Sequence, residues 1–528
     1  MIKDELKKLL GDNFEEKIDH PTVEKFGDFA IRGEVKIREN KDLIEKIEKI
    51  AGFTNIFINK NKLINEAEKI GGGEWQKEIE NVGKGKTMVI DYSAPNIAKT
   101  FGIGHLRSTN IGQAIYNIYQ FLGWKCLGDN HLGDWGTQFG KLIVAIKKWG
   151  SKSVEEMSIE DLENLYVKFH EEAEKETTLE DEAREWFSKL EEKDKEATEI
   201  WQKCIDISLN EFDRIYELLG VKIDYAYGES FYLDKMPAVI KLMEDKGILK
   251  ESEGAKIVEF KRMPPAMVIK SNGTTTYFLR DMATVKYRME TWNPDLIIYE
   301  IGADQELHCR QIFETSKMLG WTPQFYNVAH GMIRWTEGKF STRKGQTIHL
   351  SEVIERAMSE ARKIAPNNDE GKIKAVAIGA IKFNDLKQDP KKDIIFDWKK
   401  VMSMEGNSGP YLQYTYARCL SVLNKSSIFN LQSSIKNTEF NYSEDEEMAL
   451  LREFYKFEEK IIEAAERFSP AVVAEYLIGL ARKYNEFYAK FRIIGENEEE
   501  QRLFLTERTA KILKIGLDLL GIKTVEKM

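Results

Sequence analysis

Apolar residues recur at helical spacing through the opening MIKDELKKLLGDNFEEK, with charged positions between them. That pattern predicts an amphipathic helix, and it lacks the apolar centre of a secretory leader. "FGDFAIRGEVKI" alternates and predicts a strand, and further helix and strand follow to about residue 70. Gly71, Gly72 and Gly73, followed by Gly83 and Gly85, break the pattern and mark a junction. Beyond it, "KTMVIDYSAPN" is a compact apolar run closed by Ser, Pro and Asn, the pattern of a buried strand leaving a sheet. "GHLRSTNIGQAIYNIYQFLGW" returns to helical spacing, and "KCLGDNHLGDW" gives a second strand and loop. Strand, helix, strand is the beginning of a doubly wound parallel sheet.

From about 150 to 220 the pattern is helical and acidic, and the charges read as a solvated helical face. Strand signals resume at "AMVIK", "TTTYFLRD" and "DLIIYEIGADQ", and the last leads into the helix "LHCRQIFETSKMLG". The sheet is therefore expected to be interrupted by a helical insertion and then resumed. After about 346 the pattern is almost wholly helical, broken by the Ser/Asn-rich stretch "LNKSSIFNLQSSIKNTEFNYSEDEE". No internal repeat is present. These divisions predict an α+β part over 1–75, a first half-sheet over 84–150, an insertion over 151–250, a second half-sheet over 251–345, a helical link over 346–404 and a helical domain over 405–528.

Composition narrows the class. At 528 residues the chain has room for about three to five domains. With 42% hydrophobic and 31% charged residues, it is not a disordered, collagen-like or fibrous chain. The formal charge of −10 excludes a protein that coats nucleic acid by bulk positive charge, and leaves room for a local basic groove. Cys126, Cys204, Cys309 and Cys419 form no CxxC pair, so reduced thiols are expected and no structural zinc. No stretch approaches the roughly 20 apolar residues of a membrane span, and a soluble, cytoplasmic protein is expected.

Two loops carry candidate chemistry. Phe101-Gly102-Ile103-Gly104-His105 lies between a strand and a helix, where free N–H groups and the positive helix end can hold an anion. Alone it reads equally as a tight capping turn. Lys339-Phe340-Ser341-Thr342-Arg343-Lys344-Gly345 gathers three cations that could surround a polyphosphate, and alone reads as a solvated loop. They stand at opposite ends of one interrupted βα domain.

In that order the two loops resemble the HIGH and KMSKS elements of class I aminoacyl-tRNA synthetases. "DYSAPNIAKTFGIGHLRST", "NHLGDWGTQFGKL", "DYAYGES", "TTTYFLRDMAT", "GADQELH", "KFSTRKGQT", "IKFNDL", "EGNSGPYLQYTYAR" and the ending "KILKIGLDLLGIKTVEKM" are similar to successive signatures of the arginyl-tRNA synthetase family, over nearly the whole chain. The resemblance implies a Rossmann-type catalytic sheet with a helical insertion, a small α+β N-terminal domain and a C-terminal helical anticodon-binding domain. It implies a ligase acting on L-arginine, ATP with Mg2+ and tRNA(Arg), with no tightly bound metal, working as a monomer. Asn96 and Asp91 would hold the arginine backbone. Glu229 and Asp281 would receive the guanidinium, lined by Tyr277 and Gln305, because a planar fork of five donors demands fixed acceptors. For Asp281 the competing reading is an ion pair to Arg280 or a helix cap. Gly104, His105, Gly302, His308 and Lys339 would contact ATP, and His131 and Trp135 would shape the floor. Ser341, Thr342, Arg343 and Lys344 belong to the cationic loop.

Three departures from the family pattern stand out. Gly102 replaces the first HIGH histidine, and Thr100 stands where proline is common. Thr342 replaces the second KMSKS lysine, and Lys99 or Lys344 would substitute for it. Arg452, Lys456, Lys460, Arg467, Arg482, Lys483, Lys490 and Arg492 are expected to offer a phosphate-binding face, with Tyr411 and Tyr414 touching anticodon bases. Tyr484, Phe487, Tyr488 and Phe491 have helical spacing and read as a core stripe ahead of a base-stacking surface. The missing imidazole also motivates a second reading, a catalytically impaired synthetase paralogue that binds tRNA. The insertion is too short and too helical for a second hydrolytic site.

Overall fold

The computed structural model describes residues 1–11, 17–335, 349–364, 369–427 and 440–528. Strands β1 (Ile18–Asp19), β2 (Phe29–Arg32), β3 (Ile44–Ile50) and β4 (Phe53–Ile58) make an antiparallel sheet in the order β1-β2-β4-β3. Strands β5 (Thr87–Asp91) and β6 (Lys125–Asp129) begin the central sheet. Strands β7 (Leu249–Ser252), β8 (Ala255–Val258) and β9 (Ala266–Ile269) make a small antiparallel sheet of their own. Strands β10 (Leu296–Gly302) and β11 (Gln324–His330) complete the central sheet, whose order β11-β10-β5-β6 is parallel throughout. Finally β12 (Ile333–Trp335) pairs with β13 (Ile394–Phe396).

The compact apolar runs of β5 and β10 reflect burial on both faces. Met88, Ile90, Leu296 and Ile298 enter one core, while the alternate Val89, Ile297 and Tyr299 enter another. The connection from β5 to β6 runs through the helix Ile103–Phe121, and that from β10 to β11 through Glu306–Met318. Because β6 lies beyond β5 and β11 beyond β10, the winding reverses between β5 and β10. Their carboxyl ends form a topological switch point, where ligands bind in open α/β sheets.

Two sequence expectations are corrected. "TTTYFLRD" is not a strand: Thr276 is extended, and the helix Tyr277–Trp292 begins at the next residue. "AMVIK" is a strand, but β9 pairs with β8 in the small sheet rather than rejoining the parallel one. Both segments have the short apolar and β-branched composition of strands, and periodicity alone could not assign them.

The insertion contains the helices Ile159–Ala173, Thr178–Glu191 and Lys195–Leu219. Ser158 and Asp161 cap the first reciprocally, Asp194 caps the third, and Gly220 ends it in the left-handed conformation. Its acidic residues meet solvent-facing lysines, as at Lys148–Glu182 and Lys203–Glu155, which is the solvated face expected.

The C-terminal helices Gly409–Lys425, Asp445–Phe454, Lys456–Glu466, Ala471–Lys490 and Glu499–Leu519 share one core with the sheet and with the N-terminal part. Tyr484 and Phe487 are buried in it, whereas Tyr488 is 39% exposed. The N-terminal part docks directly on these helices. His20 Nε2 lies 2.9 Å from Glu459, Lys60 donates to the Tyr442 carbonyl at 2.6 Å, and Arg508 donates to the carbonyls of Glu68 and Ile70. Many of the cations expected to offer a phosphate-binding face have carboxylate partners. Arg452 lies 3.4 Å from the buried Asp28, Lys456 and Lys483 pair with Glu453, Lys460 and Arg467 with Glu463, and Lys490 with Glu446. The partners of Arg452, Lys483 and Lys490 lie on distant segments that charge along the sequence does not reveal, whereas those of Lys456, Lys460 and Arg467 are only three or four residues away. Among the described residues no helix is long and apolar enough to cross a membrane, and all four cysteines are free and buried.

Candidate active site

At the carboxyl end of β5 the chain enters a strained turn. Ser93, Ala94 and Ala98 have φ of 75°, 42° and 59°, left-handed values that side chains other than Gly or Asn rarely adopt. Each strained N–H is held from elsewhere: Ser93 by Ser108 Oγ, Ala94 by Asn130 Oδ1 and Ala98 by Ser208 Oγ, all at 2.9 Å. Such over-determined strain concentrates at functional loops. The exposed Asn96 sits within this turn, bridged to Gly133.

The next turn is the anion loop. Gly102 caps the helix Ile103–Phe121, and its N–H donates to His105 Nδ1 at 3.2 Å. The proton of a neutral His105 then resides on Nε2, which is free to donate. Burial, aided by the charges of Lys99 and His330, lowers the His105 pKa to about 4, so the ring is neutral at physiological pH. Gly104 faces open space, so a ligand can approach its backbone. Lys99 is exposed, with its ammonium 5.5 Å from the Tyr166 ring on the insertion.

Beside this loop, under the switch point, lies a polar pocket. Arg288 is fully buried and donates to Asp91 Oδ2 at 2.6 Å and to Asp129 Oδ2 at 2.8 Å. Asp91 is therefore tied down from below rather than standing free at its strand end. Asp281 takes a 2.5 Å hydrogen bond from His308 Nε2, and His131 Nε2 lies 3.5 Å from its other oxygen. Burial raises the Asp281 pKa, but the His308 bond and the two imidazole charges outweigh it, so the carboxyl titrates below its usual value. Arg280 does not pair with Asp281, against the competing reading. Its Nε approaches Glu229 Oε2 at 3.1 Å instead, without hydrogen-bond alignment. Misalignment leaves burial dominant at Glu229, whose pKa rises to about 7 despite Arg280.

Buried polar atoms without a hydrogen bond gather here: Glu229 Oε2, both ring nitrogens of His131, Asp129 Oδ1, Arg288 Nη1 and the hydroxyls of Tyr232 and Tyr299. Buried polar groups are normally satisfied, so this concentration is the signature of a polar ligand's seat. Tyr277 is not a deep lining residue. It is 59% exposed, with the Arg280 guanidinium 4.4 Å over its ring. Gln305 is exposed in the turn after β10. His308 belongs to the Asp281 cluster, which its sequence reading as an ATP contact did not anticipate. Gly302 ends β10, and His330, ending β11 beside it, pairs with the buried Glu300 at 2.9 Å. Trp135 packs against Phe187 and Trp201. Lys339, Ser341, Thr342, Arg343 and Lys344 lie outside the described residues.

A second candidate surface is a cavity of about 1030 Å3 in the C-terminal helices, lined in part by Tyr414, Arg418, Tyr488, Lys490, Arg492 and Lys527. The Arg418 guanidinium stacks between Tyr414 and Tyr488, 4.7 and 4.9 Å from their rings. Tyr414 thus lines the groove. Tyr411 turns inward to accept from Asn485, and Arg482 is exposed outside the cavity lining. Sequence reading missed Arg418 and placed Tyr488 in a core stripe, because the two stand on different helices and share no local motif. It also missed Arg288, whose partners lie on two other strands. His330 could have been found from the rule that α/β ligands gather at strand carboxyl ends.

A reversing parallel sheet, a helix N-terminus with a neutral histidine at the switch point, and an aromatic, cationic groove on a helical domain fit the class I aminoacyl-tRNA synthetase architecture that the sequence resemblance implies. The family description "tRNA synthetases class I (R), catalytic domain" matches residues 74–398, and "DALR anticodon binding domain" matches 412–528. The chain belongs to the arginyl-tRNA synthetase family. It is 40% identical to the arginine–tRNA ligase of Halothermothrix orenii, covering 100% of this chain and 98% of the relative. It is 42% identical to that of Clostridioides difficile, covering 92% and 88%. The arginyl-tRNA synthetase of Plasmodium falciparum superposes with a TM-score of 0.85 at 25% identity, covering 100% and 98%.

Proposed function

We propose that the protein is an arginine–tRNA ligase working as a monomer in the cytoplasm. It converts ATP, L-arginine and tRNA(Arg) into AMP, diphosphate and L-arginyl-tRNA(Arg). The carrying observation is the pair Asp281 and Glu229 under the switch point, one ionised and one holding an unused acceptor, beside the His105 loop. A guanidinium fits those acceptors, and an analogue without it leaves them unpaired, so discrimination needs no second hydrolytic site.

The arginine carboxylate oxygen attacks the α-phosphorus of ATP, and the α–β bridging bond breaks to release diphosphate. A terminal ribose hydroxyl of tRNA then attacks the arginyl carbonyl, and AMP leaves. Magnesium accompanies ATP as part of the substrate. The chain's contribution is positioning and charge stabilisation. Asn96 and Asp91, the latter steadied by Arg288, orient the arginine backbone. Gly104 and the His105 Nε2–H face the phosphates, with Lys99 adding charge. Gly302 lets the nucleotide approach the strand end. By the family resemblance, Lys339 of the cationic loop would contact ATP, and the 1–75 part touches the outer corner of the tRNA.

In the groove, Tyr488→Ala should weaken tRNA binding roughly 5- to 150-fold, since one base–aromatic stack is worth about 1–3 kcal/mol. The Michaelis constants for arginine and ATP should not move. A tRNA constant unchanged in steady-state charging would remove the groove from the anticodon site.

The deciding experiment is arginine-dependent pyrophosphate exchange with and without tRNA. The helix that presents His105 also touches the C-terminal domain: Asn117 donates to the carbonyls of Asp518 and Leu519, and Tyr119 to that of Ala465. Docked tRNA can therefore bias the site through one rigid element. Exchange is expected near background in RNA-free enzyme and strong with tRNA accepting arginine. Exchange absent under both conditions, with tRNA still bound, would favour the impaired paralogue. Strong exchange without RNA would overturn the coupling alone.

A further inference from the structure

The two departures at Gly102 and Thr100 meet a third residue, His349, which precedes the helix Leu350–Ile364. Gly102 and His349 form an antiparallel bridge, and the Leu350 N–H donates to the Phe101 carbonyl at 3.0 Å. Residues paired across such a bridge project to the same side, with Cβ positions about 4.5–5.5 Å apart. The His349 side chain therefore emerges beside the place that a side chain at 102 would take. Thr100, which is buried, fixes its orientation. The Thr100 hydroxyl lies 2.5 Å from Glu163 Oε2, on the insertion helix Ile159–Ala173, and 2.6 Å from His349 Nδ1. That hydroxyl has one proton, and an ionised carboxylate can only accept. Thr100 thus donates to Glu163 and accepts from His349 Nδ1–H, which leaves Nε2 as the ring edge available to a ligand. Proline at position 100 could offer neither this hydroxyl nor the N–H that also faces Glu163 at 3.4 Å.

We propose that His349 supplies the imidazole that Gly102 lacks, presenting Nε2, which donates when the ring carries its second proton, to the triphosphate of ATP, with Thr100 and Glu163 as its positioning residues. This rests on the ATP-dependent activation proposed above. The departures at Gly102 and Thr100 then form one exchange. The ring comes from across the bridge instead of from position 102, and a threonine holds it where a proline is common.

The test uses the full chain with tRNA accepting arginine, in arginine-dependent pyrophosphate exchange. An arginine exchange signal from the unaltered protein is the control. Its absence would fail the activation reading rather than this inference. His349→Ala should lower the maximal rate about 100-fold, the scale of losing one preorganised donor, with the arginine Michaelis constant unchanged. His349→Asn separates chemistry from structure. Asparagine reproduces the Nδ1 donor toward Thr100 but has nothing at the Nε2 position, so it should be as slow as the alanine variant. Thr100→Val should lose less, about 10-fold, because the ring remains but is free to turn. An asparagine variant as fast as the unaltered protein would reduce His349 to a clasp and overturn the proposal. So would a His349→Ala rate within threefold of the parent.

Discussion

Asp281→Asn is expected to raise the Michaelis constant for arginine by about 30-fold at the least, with thermal stability close to that of the parent. Removing one charge from a largely desolvated pair costs about 2–5 kcal/mol. The variant keeps an oxygen that can accept from His308, so the local framework survives, whereas the charge that meets the guanidinium is lost. The contrast with Glu229 sharpens the test. Asp281 is ionised at neutral pH, but Glu229, with a pKa of about 7, must release a proton before it can pair with a cation. Arginine binding should therefore strengthen as pH rises toward 7 and level off above it. Below pH 6, Glu229→Gln should cost little, while Asp281→Asn remains severe. For stability the sign is opposite. A carboxyl whose pKa is raised by folding binds its proton more tightly in the folded state, so its contribution falls as pH rises from about 4.5 to 7. Arginine affinity within twofold of the parent in Asp281→Asn would remove that residue from the pocket.

Arg288→Met should be the most damaging single change to the fold, by about 3–5 kcal/mol, because it strands two carboxylates in one buried site. Asp129 already titrates above its usual value through burial, and Asp91 adds to the repulsion. The triple variant Arg288→Met, Asp91→Asn, Asp129→Asn should recover most of the stability in urea unfolding while leaving arginine activation impaired. That split distinguishes a positioning role from a merely structural one. A loss below about 1 kcal/mol in the single variant would mean that the ion cluster is not a linchpin of the sheet.

How far these features were legible in the sequence depended on whether the physics was local. The buried runs of β5 and β10, the capped insertion helices and the anion loop are short-range patterns, and all of them stand where periodicity and turn chemistry put them. The segment "TTTYFLRD" failed because three threonines mimic a strand, although the last of them only leads into a helix. The ion pairs within the charged face of the C-terminal helices were hidden for a different reason. A lysine's availability depends on the carboxylate opposite it, and at Lys456, Lys483 and Lys490 that carboxylate is Glu453 or Glu446. In the pocket, residue types were readable but partners were not. Arg280 is adjacent to Asp281 in sequence, yet helical geometry aims it at Glu229. His308 is 27 residues from Asp281 and reaches it directly.

The docking of the first 70 residues on the last helices also sets a schedule for synthesis. His20, Asp28, Lys60 and the carbonyls of Glu68 and Ile70 find their partners only at residues 442–508. At about 5–20 residues per second, the amino-terminal part waits on the order of tens of seconds on the ribosome before its covering surface emerges. The strand sequence of β5 to β11 can pair in the meantime, but the core that it shares with the N-terminal part and the C-terminal helices stays open until those helices are made. A nascent chain stalled before residue 440 would therefore display Tyr119 and Trp75, with Phe457 and Phe468 not yet made, to any chaperone at the exit tunnel. Closure of the core therefore waits for residues 442–508 to emerge.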